Sequence, residues 1–99
     1  MKDKVFKPPV DVAEAAYSGL LLRNVYKRGG TRIGIARAHQ LSKREPVSLD
    51  TIKRMNNFFN RHFKNRNTPP DKGNGMIAWL LWGGDEGRRW AKKILREHD

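Results

Sequence analysis

The chain has 99 residues, 21 Lys and Arg against 10 Asp and Glu for a net charge of +11, a pI near 10.6 and a mean hydropathy of -0.80. That length allows one domain with a modest core. The absence of cysteine excludes disulfides and thiolate metal sites, no apolar run reaches the roughly 18 residues of a membrane-spanning helix, and Met1 to Lys7 lack the apolar centre of a secretory signal.

In chain order, residues 1–10 read as an extended segment that ends in Pro8-Pro9. A single helical domain then spans 11–97. Asp11 and Glu14 have the spacing of a capping box. Ala13, Ala16, Tyr17, Leu20 and Asn24, with Leu21 and Val25 beside them, predict a first amphipathic helix that stops near Gly29-Gly30. Thr31 is an N-cap for a second helix to about Ser42, whose inner residues are Ile35, Ala38 and Leu41 with Ile33 flanking. Gly34 within it predicts close packing against a neighbour.

After a turn at residues 43–46, Ser48 caps a third helix over about 49–64. Ile52, Met55, Phe59 and Phe63 form its apolar stripe. Lys53, Asn57, Asn60, Arg61 and Lys64 form the opposite face. Residues 65–75, with two prolines and two glycines, read as a mobile loop. Met76 to Trp82 is apolar all round and predicts a short buried helix, since no strand pattern exists elsewhere to partner it. After Gly83-Gly84, Asp85 is placed as the cap of a last helix over about 86–97 with Trp90, Ala91, Ile94 and Leu95 inward. The expected fold is all-α, a compact bundle of about five short helices in which the second and third resemble a helix-turn-helix pair. The connection is longer than usual for that motif and lacks its central glycine.

Little in the sequence points to catalysis. His39, His62 and His98 have no ligand-like spacing with one another or with carboxylates. Asp11, Asp50 and Asp85 sit at helix starts, where the macrodipole favours negative charge, so few acids remain for a catalytic pair. The tryptophans lie in apolar contexts that favour core packing over base stacking. No enzyme activity, metal or cofactor is expected.

The charge carries more information. A large positive excess costs stability by self-repulsion unless a polyanion offsets it. Residues 27–66 hold eleven basic and two acidic side chains. Lys27, Arg28 and Arg32 flank Gly29-Gly30 before a helix start, an arrangement suited to phosphate, although a plain glycine turn accounts for it as well. Arg37, Lys43, Arg44 and Arg66 extend the basic surface. On the third helix the two asparagines suit adenine, and Lys53, Arg61 and Lys64 suit guanine or phosphate. The alternative for that helix is a merely solvated charged face.

Gly19-Leu20, Arg28-Gly29-Gly30-Thr31, Gly34, Ala36-Arg37-Ala38, Leu41, Thr51, Arg54-Met55, Phe58-Phe59, Arg61-His62, Ile77-Ala78-Trp79, Leu81-Trp82-Gly83-Gly84-Asp85, Gly87 and Trp90 resemble a small domain of unsettled function that recurs in tailed-phage and prophage proteins. The resemblance covers about residues 12–95 and implies phage origin without supplying an activity. Relatives tend to follow Arg-His with an acidic residue and Asp-Lys, whereas Phe63-Lys64-Asn65-Arg66 here is basic, which implies added affinity for polyanions.

The sequence therefore predicts a phage nucleic-acid-binding protein acting in the host cytoplasm at the nucleoid, with DNA favoured over RNA, phosphate contacts dominant and no membrane partner. The alternative is a module that docks on an acidic host or virion protein, with aromatic and Arg side chains as anchors.

Overall fold

Pro9 has the extended backbone of a helix N-cap, and its carbonyl accepts from Ala13 N at 3.0 Å, so the first helix, α1, runs Val10–Tyr26. In the computed structural model, which describes residues 4–98, α1 is followed by α2 (Arg32–Ser42), α3 (Leu49–His62), α4 (Gly75–Leu81) and α5 (Gly84–His98). A 3-10 turn, Phe63–Asn65, extends α3. The chain is 71% helical and essentially an all-α bundle.

The capping box does not form. The helix starts before Asp11, whose Oδ1 accepts from the adjacent Val12 N at 2.8 Å, and α1 has no side-chain cap. α1 ends at Tyr26, short of the glycines, because Lys27 adopts a left-handed conformation and returns its N–H to the Arg23 carbonyl. Its buried face is also rotated from the one expected. Val12, Ala13, Ala16 and Gly19 point inward, whereas Tyr17, Asn24, Leu21 and Val25 are exposed. The reason is close packing. A Cβ on Gly19 would stand 2.7 Å from Leu81 N, so the small residues of α1 let α4 cross it at backbone distance.

Thr31 caps α2 by accepting from Gly34 N at 3.0 Å, and Ser48 caps α3 by accepting from Thr51 N at 3.1 Å. Both caps were legible from residue type and spacing. Asp85 is not a cap. α5 begins one residue earlier, at Gly84, and Asp85 Oδ1 instead accepts from Trp79 Nε1 at 2.9 Å.

A two-stranded antiparallel ladder, absent from the sequence-based reading, pairs β1 (Val5–Phe6) with β2 (Val47–Ser48) in the register Val5 with Ser48 and Phe6 with Val47. It holds the N-terminal segment, residues 4–9, against the turn before α3. Arg44 Nε reinforces the join by donating to the Pro8 carbonyl at 2.8 Å. Met1 to Asp3 of that segment lie outside the described residues.

α1 packs on α2, α4 and α5, and α3 packs mainly on α5. α2 and α3 follow one another through residues 43–48 but take their main support from α1 and α5 respectively. Ile52, Met55, Phe58 and Phe59 of α3 meet Ile77, Trp79, Leu81 and Trp82 in one core with Val12, Leu41, Val47, Ala91 and Ile94. Trp79 and Trp82 are 4% and 9% exposed and therefore serve the core. Phe63, expected on the apolar stripe, is 40% exposed, because the 3-10 turn carries it off the α3 axis. The loop after it is closed by its own backbone bonds, among them Thr68 N to the Asn65 carbonyl and Met76 N to the Thr68 carbonyl.

Candidate nucleic-acid interface

The strong amphipathicity of α3 decides where its polar side chains go. Once Ile52, Met55, Phe58 and Phe59 are buried, Lys53, Arg54, Asn57, Asn60 and Arg61 are left outside. Arg54, Asn57 and Arg61, at spacings of three and four, line a cleft of about 320 Å³ whose other wall is Thr31 and Ile33 at the start of α2. It opens into a second hollow of about 470 Å³ that reaches Asn65, Thr68 and Asn74, and the two share Thr31, Phe58, His62 and Trp82.

The shared base is aromatic. Phe58 stacks on Trp82 with centroids 4.7 Å apart and planes 13° apart, and His62 lies on Phe58 at 4.6 Å and 35°. α2 approaches this stack closely because Gly34 has no side chain; a Cβ there would stand 3.1 Å from Trp82 Nε1. The close packing expected of Gly34 is therefore present.

Arg37 extends the basic surface from α2. Its guanidinium lies 5.6 Å from the Trp82 centroid, its Nη1 donates to Gln40 Oε1, and its Nε is buried without a partner. Burial first, and the Arg54 charge second, lower its affinity for its proton below the usual arginine range, with Asp50 acting in the opposite direction. Asp50 accepts from Arg54 Nε at 2.9 Å. A shallow groove along α2, lined by Arg32, Arg37 and Lys43 with Glu45, joins the cleft through Ile33. The fold thus places Asn57 and Arg61, with Arg54, in the cleft and Arg32, Arg37 and Lys43 in the neighbouring groove, with Ile33 on the rim of both. Lys53 is exposed one residue before Arg54.

The other expected residues lie elsewhere or have structural work. Asn60 Oδ1 accepts from Lys92 Nζ at 3.3 Å, so it turns toward α5. Arg44 fastens the N-terminal segment and borders a different groove with Glu14 and Tyr17. Lys64 is exposed on the 3-10 turn. Arg66 lies 3.6 Å over the Phe63 ring and donates to the Phe63 carbonyl at 2.6 Å. Lys27 is exposed at the end of α1, and Arg28 Nη1 donates to the Pro70 carbonyl at 3.3 Å.

The Gly29-Gly30 turn has a structural explanation. Both glycines have positive φ, +98° and +83°, and a Cβ on Gly30 would stand 2.5 Å from Leu81 Cδ1. Arg23 Nε also donates to the Gly29 carbonyl at 3.0 Å. Packing of α4 against the turn requires these glycines without any bound anion.

Sequence reasoning missed two residues of the cleft. Arg54 completes the 54, 57, 61 spacing, a signal present in the sequence but passed over for the neighbouring row that starts at Lys53. His62, which carries no ligand-like spacing in the sequence, is exposed and rests on Phe58.

No protein family, curated protein or solved structure matches the chain. No helix among the described residues is long and apolar enough to cross a membrane.

Proposed function

We propose that this protein is a non-enzymatic nucleic-acid binder that holds double-stranded DNA mainly by its phosphates, with α3 as the element laid along the groove. The observation that carries this reading is that the α2 groove with Arg32, Arg37 and Lys43 and the α3 cleft with Arg54 and Arg61 border one another at Ile33. Cations on two helices that meet at a cleft match successive phosphates better than the same charges scattered over a bundle. Asn57 stands between Arg54 and Arg61 and supplies the amide suited to an adenine edge. The net charge of +11 favours the same partner over distance through steering. The likeness of the Arg-Gly-Gly-Thr and Leu-Trp-Gly-Gly-Asp elements to the phage domain supplies no activity, but it supports phage origin and with it a place of action inside the host cell.

Fluorescence anisotropy with a labelled random duplex and a matched single strand, over roughly 50–300 mM salt, tests this. The expected result is duplex binding whose affinity falls with a log–log slope of about -4 to -5, as five neutralised phosphates require. Tighter binding to the single strand would replace the substrate class. No binding at the lowest salt would overturn the proposal and leave an acidic protein as the partner to seek.

A further inference from the structure

α1 carries a surface that the nucleic-acid reading does not use. Val10, Tyr17, Leu21 and Val25 recur at spacings of seven, four and four along one side of the helix, and they are 52%, 56%, 49% and 70% exposed. Their row runs along the side of α1 away from Val12, Ala16 and Gly19, which pack into the core. Single exposed apolar residues are ordinary, but a row along a 17-residue helix is a docking surface in form.

Charge identifies the occupant. α1 holds two acids, Asp11 and Glu14, and one base, Arg23, and it is the only one of the five helices with more acids than bases. All of the chain's positive excess therefore lies outside it. Two copies of a +11 chain repel one another, and α1, the one helix with an acidic excess, is the helix across which that repulsion is least. The ends of α1 are opposite in sign as well. Asp11 and Glu14 stand at its start, while Lys27 and Arg28 follow its end.

We propose that α1 is a self-association surface on which a second copy of this chain packs its own α1 antiparallel, about a two-fold axis level with residue 19. That arrangement sets Tyr17 against Leu21 of the second copy. Asp11 of each copy then faces Lys27 of the other, and Glu14, the one charged residue within the apolar row, lies about one turn from it. A parallel arrangement would set like-charged ends together. The same patch serves both copies, as a two-fold interface requires. The area of one helix face is small, so the dimer is a weak one, with dissociation on the order of micromolar. The surface shares no lining residue with the Arg54–Arg61 cleft, and the inference stands whether or not that cleft binds DNA.

Sedimentation velocity of the full chain over about 1–500 µM, at low and at moderate salt, tests it. Wild type is expected to rise with concentration from 11.5 kDa toward twice that mass. The rise is expected at lower protein concentration in moderate salt, because screening relieves the long-range repulsion between the two positive copies. Leu21→Asp and Val25→Asp, both at exposed sites, are expected to keep the wild-type circular dichroism and to remain monomeric. Glu14→Lys is expected to weaken association at least fivefold. A wild type that stays monomeric at every concentration and salt, or two folded Asp variants that associate like wild type, would overturn the proposal.

Discussion

Phe58 of α3 and Trp82 at the end of α4 lie ring over ring, 4.7 Å apart and 13° from parallel. The stack belongs to the core and also forms the base of the cleft. Gly34 of α2 rests on the Trp82 indole edge, so the same ring sets the distance between α2 and α3. Trp82→Ala is expected to cost about 3–5 kcal/mol in urea unfolding and to abolish duplex binding. Trp82→Phe keeps an aromatic surface and is expected to cost less than half as much. An alanine variant as stable as wild type would show that the stack does not hold the two helices.

The Trp79 indole is 4% exposed and donates its only N–H to Asp85. The bond is charge-assisted, and Asp85 also sits in the first turn of α5, where its charge meets the positive end of the helix dipole. Asp85→Ala leaves a buried donor without a partner and is expected to cost about 1–3 kcal/mol. Asp85→Asn keeps an acceptor and is expected to cost about 1 kcal/mol or less. Equal losses for the two variants would contradict this division between the hydrogen bond and the charge.

Arg37 separates stability from function. Its buried Nε has no partner, which costs about 1–3 kcal/mol, and its position over Trp82 returns only about 0.5–1 kcal/mol. Arg37→Met is expected to leave stability unchanged or to raise it by up to about 1 kcal/mol. The same variant is expected to weaken duplex binding several-fold. A destabilised Arg37→Met that binds DNA normally would assign the residue to the core and remove it from the interface.

Asp50 occupies the Nε edge of the Arg54 guanidinium in an exposed ion pair, with side chains 74% and 63% accessible. Such a pair adds little to stability. Asp50→Asn removes the negative charge paired with Arg54 and frees Arg54 for phosphate. Duplex affinity is expected to rise about twofold to tenfold in anisotropy titrations at moderate salt, against a stability loss of about 0.3–1 kcal/mol from the helix start. A fall in affinity would show that the ion pair positions Arg54 for binding.

What could be read from the sequence depended on how local its cause was. The caps at Thr31 and Ser48, the buried α4 and the polar face of α3 follow from interactions within a few residues, and each is present. Ala13 and Ala16 of α1 are inward as expected, but the rest of that face was misread because the partner that selects Gly19 over Tyr17 and Leu21 is α4, some sixty residues later. The same holds for Asp85, whose position suggests a cap but whose acceptor is used by Trp79. The β1–β2 ladder joins two dipeptides about forty residues apart, too short to show an alternating pattern. For the interface, the residue types were legible but their grouping was not. Asn60 and Asn57 look equivalent on a helical wheel, and only the packing of α5 turns Asn60 toward Lys92. The repulsion between the Arg37 and Arg54 charges across α2 and α3 likewise depends on how those helices are mounted.

Comparative salt dependence decides whether the Arg54–Arg61 cleft is the surface that meets DNA. Duplex affinity would be measured from about 50 to 300 mM salt for wild type, for Arg54→Ala/Arg61→Ala and for Arg89→Ala/Lys93→Ala, which removes two equally exposed cations from α5. Each lost phosphate contact reduces the log–log slope by about 0.9. The account predicts a slope shallower by about 1.8 and a weaker affinity for the cleft variant, with the α5 variant close to wild type. Equal losses in the two variants would contradict it, because binding would then follow net charge and not this surface.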